Sequence, residues 1–335
     1  MLINAYSTLG QVLAPPPQAA SAAVRGLDDP ALAPHLGGFV NYVRGHGDGQ
    51  MTAARYHLMR HVQRVRQHYL FEIDDAGLER LQPWLLQANA VCFFEDGSVR
   101  DPAGRVLLGE TVDPQAQVPY PIDAQARREG SQQQLQAQQL HVPASLPPVP
   151  GADEAQLREP AEVWARAQAL LACALRAEAL QAGDPPLTLA ELAERLPALP
   201  AALSPAEAAF FEHGDAEAAV PFGWRYESLA VLLWALGLVD TLAWPQATCP
   251  VPDVVAALLQ QADSGSTPAT LRDTAALLDA LDLHYRLHWV AREAQRQGAP
   301  VPGALVGGVI YERHYALNWL FCFEQAEWDD VDTPT

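Results

Sequence analysis

Among the residues whose types and spacing could do chemistry, two histidine pairs come first: His57/His61 and His284/His288. Four residues apart, the members of each pair share one helix face, as two ligands of a zinc ion do. Neither pair encloses the glutamate of the zinc-protease pattern HExxH. For His284/His288 a third ligand would have to come from Glu312 or His314. Beside Tyr285 and Trp289, these histidines read more simply as packing residues with one hydrogen bond each, so no metal and no other cofactor is assigned.

A second group is a set of charges on otherwise apolar segments. Arg225 sits in the first turn of a helix, where the dipole disfavours a cation, and Glu227 shares a face with Trp234 seven residues on. Asp282 interrupts a stripe formed by Leu278, Tyr285 and Trp289, with Arg286 one turn further along. On a helical wheel of Val309 to Phe323, Trp319 and Phe323 flank Glu312, while Leu317 and Leu320 flank Arg313. A charge held among apolar residues needs a partner. The six therefore read as a buried network with two roles open to it. One is an ion lattice that fixes helix register, which is the preferred reading. The other is a polar cleft for a ligand or partner, lined by Arg225, Glu227, Asp282, Arg286, His288, Glu312, Arg313 and Asn318.

Other patterns carry less. Gly45-His46-Gly47-Asp48-Gly49 lacks the strand–GxGxxG–helix setting of a dinucleotide site and reads as a loop. No GxSxG is present, so a hydrolase elbow is not signalled. Arg55, Arg60, Arg64 and Arg66 with His57, His61 and His68 form a basic helix. It reads as a solvated face balanced by Glu72, Asp74 and Asp75, in preference to a patch for an acidic partner.

Composition excludes whole classes. All 21 basic residues are arginine. The chain therefore has no Schiff-base, phosphate-loop or kinase-strand lysine. The bias itself reads as the mark of a GC-rich genome. A net charge of −19 argues against a sequence-independent grip on nucleic acid or an anionic membrane. Cys92, Cys173, Cys249 and Cys322 are scattered, without CxxC spacing. The start MLINAYST lacks the pattern of a signal peptide, and the expected location is the cytoplasm.

The elements that must position these residues suggest an α+β N-terminal domain followed by an all-α C-terminal helical domain. Residues 1–112 read as the small α+β domain: strands at Leu2–Thr8 and Phe39–Val43, helices at Met51–Leu70 and Gly77–Gln87, then a three-stranded meander turning at Asp96-Gly97 and Asp101–Gly104. Residues 113–155, rich in Pro and Gln, read as a linker with a short helix at the glutamines. Residues 156–335 read as helical. Pro160 opens the first helix, and Thr188/Glu191 and Ser204/Glu207 form capping boxes. Helices follow at Arg225–Val239 and Val254–Gln261, and a long one begins at Thr267-Pro268 and ends at Gly298. The acidic tail from Trp328 is expected to dock by its ring, with its aspartates meeting arginines.

Four separated stretches carry a resemblance: WRYESLAVLLWALGLVD at 224–240, LDLHYRLHWVAREA at 281–294, VIYERHYALNWL at 309–320 and WDDVDTPT at 328–335. In this order they resemble the DUF4272 family, a bacterial family of unknown function, over roughly residues 156–335. The helix AEVWARAQALLA at 161–172 fits the family's first helix as well. The resemblance implies a helical domain and bacterial origin; it supplies no reaction, cofactor or catalytic residue. With no complete catalytic motif, the expectation is a non-catalytic protein-binding or regulatory module with a protein partner. The alternative is an enzyme using the Glu/Asp/Arg cleft on a small polar ligand. No oligomeric state follows from the sequence.

Overall fold

Alternation builds the first unit. β1 (Leu2–Ser7) sends Ile3 and Ala5 to one face and Tyr6 to the other. With β2 (Ala20–Arg25), β3 (Gln67–Glu72), β4 (Ala90–Phe94), β5 (Val99–Arg100) and β6 (Val106–Leu108) it forms a six-stranded antiparallel sheet of order β2-β3-β1-β4-β5-β6. The computed structural model describes residues 1–16, 20–74 and 77–335. Two units separate: residues 1–125 with 150–154, and residues 126–149 with 155–335.

α1 (Leu32–Gly45) and α2 (Ala53–Gln63) pack Phe39, Val43, Leu58 and Val62 beside Tyr6, Val91 and Val99. α3 (Gly77–Gln87) packs Leu81, Trp84 and Leu85 beside Ile3, Tyr69 and Phe71. Pro83 lies inside α3. The meander forms as expected, with Gly97 and Gly104 at φ +81° and +82°, where only glycine sits without strain.

Two expectations in this unit are corrected. Phe39–Val43 is helix, not strand: the two residues are four apart, and one continuous helix buries both. The helix expected to run to Leu70 stops at Gln63, and Gln67–Glu72 becomes β3, pairing with β1 and β2. Tyr69 and Phe71 alternate onto the α3 face, and that pairing outweighs the helical spacing of Val65 and Tyr69. Nor is the basic helix simply solvated. Arg55 and His61 are buried, and Arg64 pairs with buried Glu154 at 3.2 Å. Asp75 lies outside the described residues.

The stretch 113–155 holds more structure than a linker. α4 (Ile122–Ala137) has 16 residues. Leu135 and Leu140, in the second unit, are buried with Leu287, Val290 and Ile310. Glutamines take the outer face of α4, while Ala124, Arg127, Ser131 and Leu135 form its buried side.

The rest of the second unit is helical: α5 (Pro160–Ala182), α6 (Leu189–Ala193), α7 (Leu199–Ala202), α8 (Pro205–His213), α9 (Val220–Gly223), α10 (Arg225–Ala235), α11 (Val251–Asp263), α12 (Thr274–Arg296) and α13 (Gly307–Leu320). Both capping boxes form. α12 begins later than Thr267-Pro268 because Asp273 is its cap, accepting from the Ala275 amide at 3.1 Å. The tail is docked. Trp328 is buried with Tyr315 and Trp319, and the Arg166 guanidinium lies 4.9 Å from the ring centroid. Among the described residues Asp329 forms no ion pair with an arginine; it accepts from the Ala206 amide in the first turn of α8 at 2.9 Å. Among the described residues no helix is long and apolar enough to cross a membrane.

A fragment of residues 126–335 should unfold cooperatively. One beginning at 156 lacks the Leu146, Pro147 and Val149 backbone groups that bond Arg286 and Asp282, and should unfold at lower urea. Equal urea midpoints for the two fragments would show that the stretch before 156 adds nothing to the fold.

Candidate functional site

α13 is apolar all round, so its charges have to point at other helices. The structure resolves the charged set into three separate pairs. Arg313 Nε donates to Glu227 Oε2 at 3.0 Å, with both side chains buried. Glu227 also accepts from the Cys249 amide, and Arg313 also donates to the Ala243 carbonyl. Arg225 Nη1 donates to Glu312 Oε2 at 3.1 Å, and Ser228 Oγ donates to the same oxygen at 2.7 Å. Within α12, Arg286 grips Asp282 through two bonds of 2.8 Å, and neither side chain is exposed. The remaining donors of Arg286 reach the Leu146 and Pro147 carbonyls, and Asp282 accepts from the Val149 amide at 3.4 Å. Asn318 donates to the Asp332 carbonyl at 2.9 Å and holds the tail.

Of the eight residues expected to line one cleft, Glu312 and His288 line an open one. Glu227, Asp282, Arg286, Arg313 and Asn318 are buried in bonds of their own, and Arg225 is spent on Glu312. The cleft, of about 680 Å³, is formed by the last turns of α12, the start of α13 and the α9–α10 junction. Sequence reasoning missed most of its wall: Trp224, Arg292, Gln295, Gly307, Gly308 and Tyr311. The available signals were the i,i+4 spacing of Arg292 from His288 and the Gly-Gly pair that opens α13.

The histidines cluster without a metal-binding set: among the described residues no group of three or more His, Cys, Asp or Glu is placed to hold an ion. His288 Nδ1 lies 2.9 Å from His314 Nδ1, so one ring presents N–H and the other a lone pair. His284 Nδ1 is bonded to its own helix at the Ala280 carbonyl, and its Nε2 is buried without a partner. Burial, with a smaller push from Arg313, lowers His284 to about 4. Burial and then Arg292 lower His288 to about 4. Burial, then His288 and His284, hold His314 well below the usual range. All three rings are neutral at pH 7.

This second unit is helical, with buried internal ion pairs and an open cleft at the α12–α13 corner. The chain belongs to the family described as Domain of unknown function (DUF4272), which it matches over residues 127–331. The match begins at residue 127, one residue after the second unit begins at Ala126 and ahead of the residue 156 boundary of the resemblance. No curated protein and no solved structure matches the chain.

Removing one member of a sealed pair should be costly. Arg286→Met should lower the urea unfolding free energy by about 3–5 kcal/mol, whereas Arg195→Met, from the exposed Arg195–Asp263 pair, should cost about 0–1 kcal/mol. Equal small losses would contradict burial of the Asp282–Arg286 pair.

The histidines set a pH dependence. With a folded value near 4 and an unfolded value near 6.5, His284 takes up its proton in the unfolded chain first as pH falls. Its contribution, on the order of 1–3 kcal/mol, is present above pH ~6.5 and lost as pH drops towards ~4. His284→Leu should flatten the urea stability profile across that window; an unchanged slope would show that His284 titrates freely in the fold.

Proposed function

We propose that the chain is a non-catalytic binding or regulatory module, and that the cleft between α12 and α13 is where a segment of a partner protein docks. The observation that carries this is the placement of the ionisable groups. Glu227 and Asp282, two of the three acids expected in a cleft, are sealed inside, while Trp224, Tyr311, Ala291, Pro300 and Val301 wall the opening beside the third, Glu312. General acid–base catalysis needs a group that reaches substrate with its proton poised near working pH. His288 is held neutral, and one oxygen of Glu312 is tied to Arg225 and Ser228. Trp224 and Tyr311 remain 37% and 41% exposed, which suits aromatic anchors for a protein partner. The bacterial cytoplasm is part of this proposal; four free thiols, three of them buried, are compatible with it. The competing reading is an enzyme acting on a small polar ligand. It rests on Glu312 reaching the cleft.

Peptides selected from a random display library against the full chain should bind it. They should lose binding to Tyr311→Arg and Trp224→Ala variants that melt as the parent does. Selected peptides that bind both variants undiminished would show that the cleft is not the docking face.

A further inference from the structure

We infer that the cleft takes its occupant by an anionic group, a carboxylate or a phosphate, carried on an aromatic or apolar body. This rests on the cleft being the docking face, and it names the chemistry that the face selects. Three features converge on it.

The first is a local charge excess opposite to that of the chain. The protein carries −19 overall. Two charged groups line the cleft, Arg292 and Glu312. Glu312 is neutralised by Arg225, which donates to it at 3.1 Å. Arg292 is exposed and has no ion-pair partner among the described residues. The uncompensated charge of the lining is therefore a cation.

The second is the start of α13. Val306 is its N-cap residue and gives no side-chain cap. The first intrahelical bond runs from the Ile310 amide to the Val306 carbonyl, so the amides of Gly307 and Gly308 precede it. Both glycines line the cleft. A side chain at Gly308 would come within 2.7 Å of the Trp224 ring, so glycine is what lets that ring lie against the helix backbone. A Cβ at Gly307 would meet only Val301, at 3.8 Å, which leaves room beside the first amide. Uncapped amides at the positive end of a 14-residue helix suit an anion.

The third is His288, which is 3% exposed yet lines the cleft. Its Nδ1 is taken by His314, and its Nε2 has no partner among the described residues. In the tautomer where His314 donates, His288 accepts at Nδ1 and carries its proton on Nε2. A neutral ring can thus offer a donor to the cleft, and a bound anion would select that arrangement of the pair. Arg292 lies one turn along the same helix face. Trp224 and Tyr311 supply ring faces for the body of the ligand, and about 680 Å³ is the scale of a small-molecule pocket.

The test uses the full chain labelled with 5-fluorotryptophan, the Trp224 ¹⁹F resonance being assigned by its loss in Trp224→Phe. The probes are phenylacetate, phenyl phosphate and phenethylammonium. An anionic probe should shift the Trp224 resonance, phenethylammonium should not, and Arg292→Gln should weaken the anion about tenfold, as expected for loss of a charge-assisted bond. A response to phenylacetate alone assigns a carboxylate, and a response to phenyl phosphate alone a phosphate; either supports the inference. Phenethylammonium binding as well as the anions, or Arg292→Gln binding them like the parent, overturns the anion preference while leaving the cleft as docking face. No shift with any probe overturns the inference outright, and the peptide selection then decides the docking reading by itself.

Discussion

A helix that is apolar on every side has nowhere to put a charge except against its neighbours, and α13 carries Glu312 and Arg313 side by side. α10 supplies the complement in matching order, with Arg225 for Glu312 and Glu227 for Arg313. The two pairs cross the same helix–helix contact with opposite polarity. Sliding α13 by one residue would place like charges together and strand both carboxylates, so register is fixed by charge as well as by packing. Buried pairs of this kind add little net stability over apolar residues of the same shape, but losing half of one is expensive. Their effect is to leave one arrangement of α10 and α13 and to penalise the others.

That constraint also explains where a site can lie. The acids and arginines that sequence reading offers for chemistry are consumed in holding helices together. Arg225, disfavoured by the dipole at the start of α10, is kept there by Glu312 and by the rings of Phe222, Tyr315 and Trp328 around it. An opening lies at the rim where α12 ends and α13 begins, lined by backbone amides, Arg292, His288, Glu312 and two aromatic rings.

The class of the fold was legible. Capping boxes and the glycine turns of the meander are local signals, and they agree with the structure. The pairing of charges was legible only as a need: six charges on apolar helices have to find partners, but which finds which depends on helix order in space. β3 was missed because HYLF satisfies helical spacing and strand alternation equally, and the sheet decides between them. α4 was under-read because so few apolar positions, Leu135 foremost, anchor it. The cleft was invisible for a related reason. Arg292, Gly308 and Trp224 belong to three segments that only the packed helices bring to one opening.

The most direct test of this account is a double-mutant cycle on the Glu227–Arg313 pair. The Glu227→Gln, Arg313→Met and doubly substituted chains would be unfolded in urea beside the parent. Each single change should cost about 3–5 kcal/mol by stranding its partner, and the double change should cost less than the sum by about 2 kcal/mol or more. Losses that add within about 0.5 kcal/mol would mean that the two residues do not meet in the folded protein.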